Sequence, residues 1–489
     1  MPLFDFNAAL GRFASPVGGA FDTPKELLAE MHRLGISDAL VYHAVAAETD
    51  IMWGNRLLLE AVADTPNLHA CWVMAPPVLK DLEKPETWVR DAVDGNVRAA
   101  RMFPRHSLYT LAEWCVGGLL TELEAAELPL LLDFGLHHWS QQVIPWQDIR
   151  ALCEKHPRLN VVIIGSTVGE VRDAFALLAT VPNLHLEFHA LNPPDLFRLA
   201  REEGFVDRLV FGSGLPRRAV ECVVEQTLRS GLDGDGKAAI MEVNARRLLS
   251  LVDPGHERTA PPPLPQPFPD CAVIDVHMHY GAWERTITTV RGAEKIVNEM
   301  RRCGIHKMVG SSFTAIHGEQ RLGNRQTAAI IAESPGQLYG YCAINPHYPE
   351  DSEGDIRFCF NESTNFAGFK FHCFLHETHL THPGYERALA YADEHELPVL
   401  VHGGGKDDWE EMCGRYPRAA FIIAHACLWD GFNPEGKALF GLAKDVPNLY
   451  MDTSGSGAWR GATEALVELV SDRKILYGSD FPMFDFAFE

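Results

Sequence analysis

Residues 397–404 read LPVLVHGG, and residues 128–135 read LPLLLDFG. Each is a short run of leucine and valine opened by a proline and closed by glycine, the pattern of a strand buried on both faces. The likeness extends outward in both directions. FDFNAALGR (4–12) matches IDVHMHYGA (274–282), and HPRLNVVIIGS (156–166) matches YPRAAFIIAHA (416–426). VPNLHLEF (181–188) matches VPNLYMDT (446–453), and RLVFGSGLP (208–216) matches KILYGSDFP (474–482). The order is the same throughout, and an offset of about 270 residues is a whole domain rather than a solenoid repeat. The chain reads as a tandem duplication.

A proline run separates the copies, with six prolines between Pro261 and Pro269. Such a run cannot donate to a helix or sheet ladder and favours an extended spacer. The boundaries expected are a first domain at 1–254, a linker at 255–269 and a second domain at 270–489. Eight candidate strands recur in the second half: IDVHMH, HKMVGSS, YGYCAI, GFKFHCF, LPVLVHG, AFIIAHA, NLYMDTS and KILYGSD. Helical patterns such as TPKELLAEMHRLG, in the first half, alternate with strands of this kind. Eight such units indicate an α/β fold of two tandem (β/α)8 TIM-barrel-like domains. A doubly wound sheet fits less well, because no GxGxxG turn follows the first strand of either half. The first half continues past GSGLP into AAIMEVNARRLLSL, a closing helix, whereas the second runs only seven residues past GSDFP and as written lacks its last helix.

With 46% apolar and 22% charged residues the composition is that of a soluble globular chain. A net charge of -23 repels nucleic acid and anionic membrane surfaces, so neither is expected as a partner. No signal-peptide pattern opens the chain and no apolar stretch has membrane-spanning length, which leads to an expected cytoplasmic location. Eleven cysteines without a CxxC pair suit reduced, mostly buried thiols.

Side chains alternate along a strand, so His277 and His279 share one face of the second domain's first strand. In a (β/α)8 barrel that face is the interior, and chemistry gathers where strands end at the C-terminal mouth. Lys370, His372, His402, His425 and Asp480 end other strands of the same domain. Neutral imidazoles with one carboxylate suit a divalent ion of the zinc type, and His277, His279, His402 and Asp480 supply that set. Such an ion lowers the pKa of a water towards about 7. Asp480 is then placed to accept the water proton, and His425 to polarise a substrate carbonyl or protonate a leaving group.

These residues resemble the amidohydrolase superfamily, in its amidohydrolase-related branch of metal-dependent hydrolases and non-oxidative decarboxylases of the aminocarboxymuconate-semialdehyde decarboxylase type. The resemblance rests on IDVHMH, GFKFH, LPVLVHGG, FIIAHA and YGSDFP and covers residues 270 to 489. It implies His277, His279, His402 and Asp480 as metal ligands and His425 as a catalytic or ligand histidine. In binuclear relatives a carboxylated lysine on the fourth strand bridges two metals. Lys370 occupies that strand and is assigned instead to a substrate carboxylate or a structural pairing. His372 and Trp283 are further substrate-contact candidates, Trp283 equally consistent with packing. The expected cofactor is one divalent metal, zinc first, with manganese, iron or cobalt as alternatives. The expected function is metal-dependent hydrolysis, by activated water, of a small carboxylate-bearing or ring substrate. Decarboxylation of an aromatic or muconate-type acid is the enzymatic alternative, and a non-catalytic scaffold the alternative from another class.

The first half lacks the ligands. His277 aligns with Asn7, His279 with Ala9, His402 with Asp133, His425 with Gly165, Asp480 with Gly214 and Lys370 with Arg101. It reads as a degenerate barrel without metal chemistry, a built-in partner in a pseudo-dimer; a homo-oligomer is the other arrangement considered. Remaining histidines take plainer readings. His376, His379 and His382 in FLHETHLTHPG lack HExxH spacing and read as a solvated loop, and adjacent His137 and His138 carry no metal assignment. Trp459 reads as pocket wall or packing, and Asp452 and Ser454 as a substrate contact or a helix cap.

Overall fold

A computed structural model describes residues 2–15, 17–78, 82–136, 143–251, 271–284, 289–426, 434–455 and 459–487. The chain divides into two compact units, one of residues 1–192 and 196–264, the other of 193–195 and 265–489. The proline-rich stretch 255–269 lies outside the described residues, as do His137, His138 and Cys427.

The first unit carries β1 (Leu3–Leu10), β2 (Ile36–His43), β3 (Leu68–Val73), β4 (Ala99–Met102), β5 (Leu130–Asp133), β6 (Val161–Ile164), β7 (Leu184–Glu187) and β8 (Leu209–Val210). The second repeats them as β9 (Val273–Tyr280), β10 (Ile305–Ser312), β11 (Leu338–Ala343), β12 (Phe366–His372), β13 (Pro398–His402), β14 (Ala420–Ile423), β15 (Leu449–Asp452) and β16 (Ile475–Leu476). Each set is an eight-stranded sheet in sequential order, and the pairs are parallel. Helices fill the connections, giving two tandem (β/α)8 barrels as the alternation of buried strands and amphipathic helices requires. The helix Pro24–Leu34 shows the local logic. Thr23 and Glu26 form a capping box, Pro24 opens the first turn, and Gly35 ends it in the left-handed region at φ 70°.

Ring closure is the same in both barrels. In the first, Phe6 N–H donates to Phe211 O, Ala9 to Leu215 O and Gly214 to Asn7 O. In the second, Val276 N–H donates to Tyr477 O, His279 to Phe481 O and Asp480 to His277 O. A buried carboxylate pins each seam: Asp5 Oδ2 accepts from Ser213 Oγ at 2.5 Å, and Asp275 Oδ2 from Ser479 Oγ at 2.5 Å. Burial pushes the Asp5 carboxyl up to about 6 and that of Asp275 to about 7, against the serine and backbone donors that hold them down.

The barrels differ after the eighth strand. Following β8, helical segments from Gly234 to Leu248 bring Ala245, Leu248 and Leu249 into the core beside Phe4 and Val210. After β16 no helix occurs among the described residues, and Ile274, the counterpart of fully buried Phe4, is 44% exposed. Ten described cysteines are free thiols, six of them buried.

Candidate metal centre

The C-terminal mouth of the second barrel gathers the predicted residues from distant strands. His277 and His279 on β9 are buried, with rings 5.4 Å apart. Asp480 Oδ1 lies 3.2 Å from His279 Nε2 and 3.6 Å from His277 Nε2. Two donors each about 2.0–2.1 Å from a tetrahedral ion stand about 3.3 Å apart, so these separations suit a common centre. All three donors fall within 4.8 Å of one another. His402 stands one step aside, its Nδ1 3.0 Å from His425 Nε2, with those two rings 4.4 Å apart. Lys370 on β12 is fully buried and places Nζ 2.9 Å from His277 Nε2.

Backbone geometry marks two of these positions. His425 and Asp480 hold φ of 64° and 57°, whereas their first-barrel counterparts Gly165 and Gly214 hold 80° and 67°. The left-handed region costs a side chain of L configuration about 1–2 kcal/mol, which glycine avoids. At these two positions the second barrel carries strain that glycine spares the first.

The electrostatics favour an ion. Burial, reinforced by the Lys370 charge, holds His277 well below the usual imidazole range, and burial lowers His279 and His402 too. The rings are thus neutral, the form that ligates. Burial alone would raise Asp480, but the His279 hydrogen bond and the Lys370 charge are among the causes that outweigh it and hold the carboxylate below its ordinary value. Burial lowers Lys370 to about 8, opposed by Asp480 and Asp452.

The sequence reading offered Asp452 and Ser454 as a substrate contact or a helix cap, without their bonds to the histidines of this centre. Asp452 caps no helix; its Oδ2 lies 2.8 Å from His277 Nδ1, and burial raises its pKa against the pull of His425 and Ser454. Ser454 Oγ lies 3.0 Å from both His277 Nδ1 and His425 Nδ1. Gly478 of the GSD motif leaves room for them, since a Cβ there would come within 2.9 Å of His277 Cβ and 3.2 Å of Asp452 Cγ. Reading His376 as part of a solvated loop needs correction. It is buried, with Nε2 3.0 Å from Ile316 O, because its loop folds inward over the core, while His379 stays exposed beside Asp408.

The predicted substrate contacts line the same mouth. His372 stacks on His402 with centroids 4.1 Å apart and accepts from Leu375 N–H through Nδ1. Trp283 stacks on Phe313, which stacks on His279, so an aromatic wall runs from the mouth to a candidate ligand. Trp459 is partly buried against the core.

The first barrel fills the corresponding place with its own charges. Arg101, 1% exposed, donates from Nε to Asp133 Oδ2 at 3.0 Å and from Nη2 to Asn7 Oδ1 at 2.7 Å, with a second bond from Nη2 to Asp133. Its guanidinium lies 4.0 Å over the Tyr42 ring. Asn7 Nδ2 in turn donates to Glu187 Oε2, which also meets His189 Nδ1 at 2.5 Å. A covalently attached cation satisfies Asp133 there.

Fold and site together define a tandem (β/α)8 protein whose second barrel presents a buried histidine–aspartate cluster suited to a divalent ion. A profile described as amidohydrolase matches residues 9–251 and again 274–489, and the chain belongs to that family. None of the curated proteins matches the chain in sequence. Among solved structures it is similar to an uncharacterised TIM-barrel protein from Bordetella bronchiseptica, at 16% identity over 51% of this chain and 99% of that one, with a TM-score of 0.41. It is also similar to 2,6-dihydroxybenzoate decarboxylase from Rhizobium, at 14% identity over 44% of this chain and 90% of that one, TM-score 0.35. A third is 5-carboxyvanillate decarboxylase from Novosphingobium aromaticivorans complexed with manganese, at 14% identity over 44% and 88%, TM-score 0.35. Among the described residues no helix is long and apolar enough to cross a membrane.

Proposed function

We propose that the second barrel is a metal-dependent hydrolase acting on a small carboxylate-bearing or ring substrate. His277, His279, His402 and Asp480 are the ligands of one divalent ion, zinc in the first instance. The observation that carries this reading is the 3.2 and 3.6 Å spacing of Asp480 Oδ1 from two neutral, buried imidazole nitrogens. A divalent ion held there would acidify a water and polarise the bond to be cleaved. Asp480 takes up the proton of the attacking water, and His425 Nε2, facing the same mouth, carries it towards the leaving group. Lys370 and His372 receive the substrate carboxylate, and the Trp283–Phe313 wall orients an apolar ring and excludes water. The first barrel, with Arg101 where Lys370 stands in the second, performs no metal chemistry.

The test is metal analysis of the purified full chain, joined to product analysis with cyclic amides, lactones and aromatic acids. One bound equivalent of divalent metal and ring opening or ester or amide cleavage are expected. Metal bound with carbon dioxide as the product would replace hydrolysis by decarboxylation, the reaction named for two of the similar structures above. Protein purified without chelator that neither holds nor takes up a divalent ion would overturn the enzymatic reading and leave a scaffold.

A further inference from the structure

Asp452, at the end of β15, is fully buried, and four groups converge on its carboxylate. Oδ1 accepts from His425 N–H at 2.9 Å, from Ser454 N–H at 3.0 Å and from Ser454 Oγ at 2.5 Å. Oδ2 faces His277 Nδ1 at 2.8 Å. A serine hydroxyl has one proton to give. Donating it to Asp452 leaves Ser454 Oγ only acceptor capacity towards the two ring nitrogens 3.0 Å away, His277 Nδ1 and His425 Nδ1. Both nitrogens must then carry hydrogen, and in a neutral ring that leaves the lone pair on Nε2.

We infer that Asp452, acting directly on His277 and through Ser454 on His425, is the positioning group that fixes both rings as Nδ1–H tautomers, leaving a lone pair on His277 Nε2 beside Asp480 Oδ1 and on His425 Nε2 towards His402 Nδ1. The inference rests on the metal-site reading above and adds to it the reason why His277 is ready to ligate through Nε2.

The first barrel supplies an internal comparison. Glu187 replaces Asp452 and His189 replaces Ser454. Its carboxylate still reaches the strand-one residue, accepting from Asn7 Nδ2 at 3.2 Å, and still accepts the backbone N–H two residues on, from His189 at 2.6 Å. The carboxylate link between first and seventh strands therefore exists where no ligand histidine remains, so barrel architecture and ring orientation are separable roles, and a test must tell them apart.

Asp452→Asn does so. The amide has the same shape, and its oxygen still accepts the two backbone N–H groups, but its –NH2 faces His277 Nδ1 and demands a lone pair there. That drives the proton to Nε2, where it blocks ligation. Zinc affinity of the full chain, measured by competition with a chromophoric chelator, is expected to weaken about 10- to 100-fold, with the melting temperature of the metal-free protein little changed. Ser454→Ala is expected to mix the tautomers of His425, seen by ¹⁵N NMR of selectively labelled histidine, and Ser454→Thr to restore them. Wild-type spectra provide the check that needs no variant: protonated Nδ1 on both His277 and His425 is expected, and protonated Nε2 on either overturns the inference. Equal zinc affinity of wild type and Asp452→Asn also overturns it, while leaving the metal site standing. A wild-type chain that binds no zinc removes the reading beneath it instead.

Discussion

Replacing Arg101 by methionine tests whether the first barrel has exchanged a bound cation for a covalent one. The substitution keeps an apolar stem under Tyr42 but removes every charge-assisted bond to Asp133, which is 4% exposed. Asp133 then keeps the Gly135 N–H as a donor, at 2.7 Å. A buried carboxylate stripped of its partner costs about 3–5 kcal/mol, far more than the lost stacking. Replacing both charges by apolar groups of similar volume, Arg101→Met with Asp133→Leu, removes the orphan and is expected to recover most of the loss. A two-unit chain has no single unfolding free energy, so the assay is hydrogen exchange with mass spectrometry on peptides spanning β4 and β5. At 1.36 kcal/mol per decade, protection there should fall about 10²- to 10⁴-fold in the single variant, rise again in the double, and stay unchanged in the second barrel. A loss of less than tenfold, or a double variant no better protected than the single, would refute the reasoning.

Other outcomes follow from the same geometry. Asp5 titrates near 6 when folded against 3.8 ordinarily, so its contribution to stability is full below pH 4 and is lost as the pH rises through 6. That shift corresponds to about 3 kcal/mol; Asp5→Asn should flatten the dependence of first-barrel hydrogen exchange between pH 4 and 7.5, and an unchanged slope would contradict it. Gly165→Ala would bring a Cβ within 2.3 Å of Gly135 N and should lower the melting temperature sharply, whereas Gly204→Ala, equally left-handed but with no atom within 4 Å, should cost only about 1–2 kcal/mol. Equal melting shifts would show that crowding at Gly165 is relieved. Lys370→Met removes a cation 2.9 Å from His277 Nε2 and should tighten zinc binding in chelator competition while raising KM for a carboxylate substrate; weaker zinc binding would make Lys370 part of the ligand set.

The barrels and the convergence of His277, His279 and Asp480 were legible because both depend on local signals. Alternating, strand-ending histidines and the repeated LPxL and GSxxP frames place residues without any knowledge of contacts. Asp452 and Ser454 were not, because an Asp-Thr-Ser after a strand is also a common cap, and the bond from Asp452 to His277 spans 175 positions. The loss of ligands from the first half was visible, but its replacement was not: that Arg101 would reach both Asp133 and Asn7 is a matter of side-chain direction inside a closed ring. His376 misled for a related reason. A histidine in a polar loop gives no sign that its ring will be folded under by neighbours such as Leu380 and Tyr385.

The seam between β9 and β16 carries a consequence for durability. Three of the residues proposed to grip the ion, His277, His279 and Asp480, are also those whose backbone groups stitch the ring shut. An ion shared across that join works as a rivet, so releasing it slackens the hoop, and prising the hoop apart scatters the grip. A chelator would then do more than silence a reaction, for it would ease open one barrel and leave its riveted-by-arginine neighbour whole.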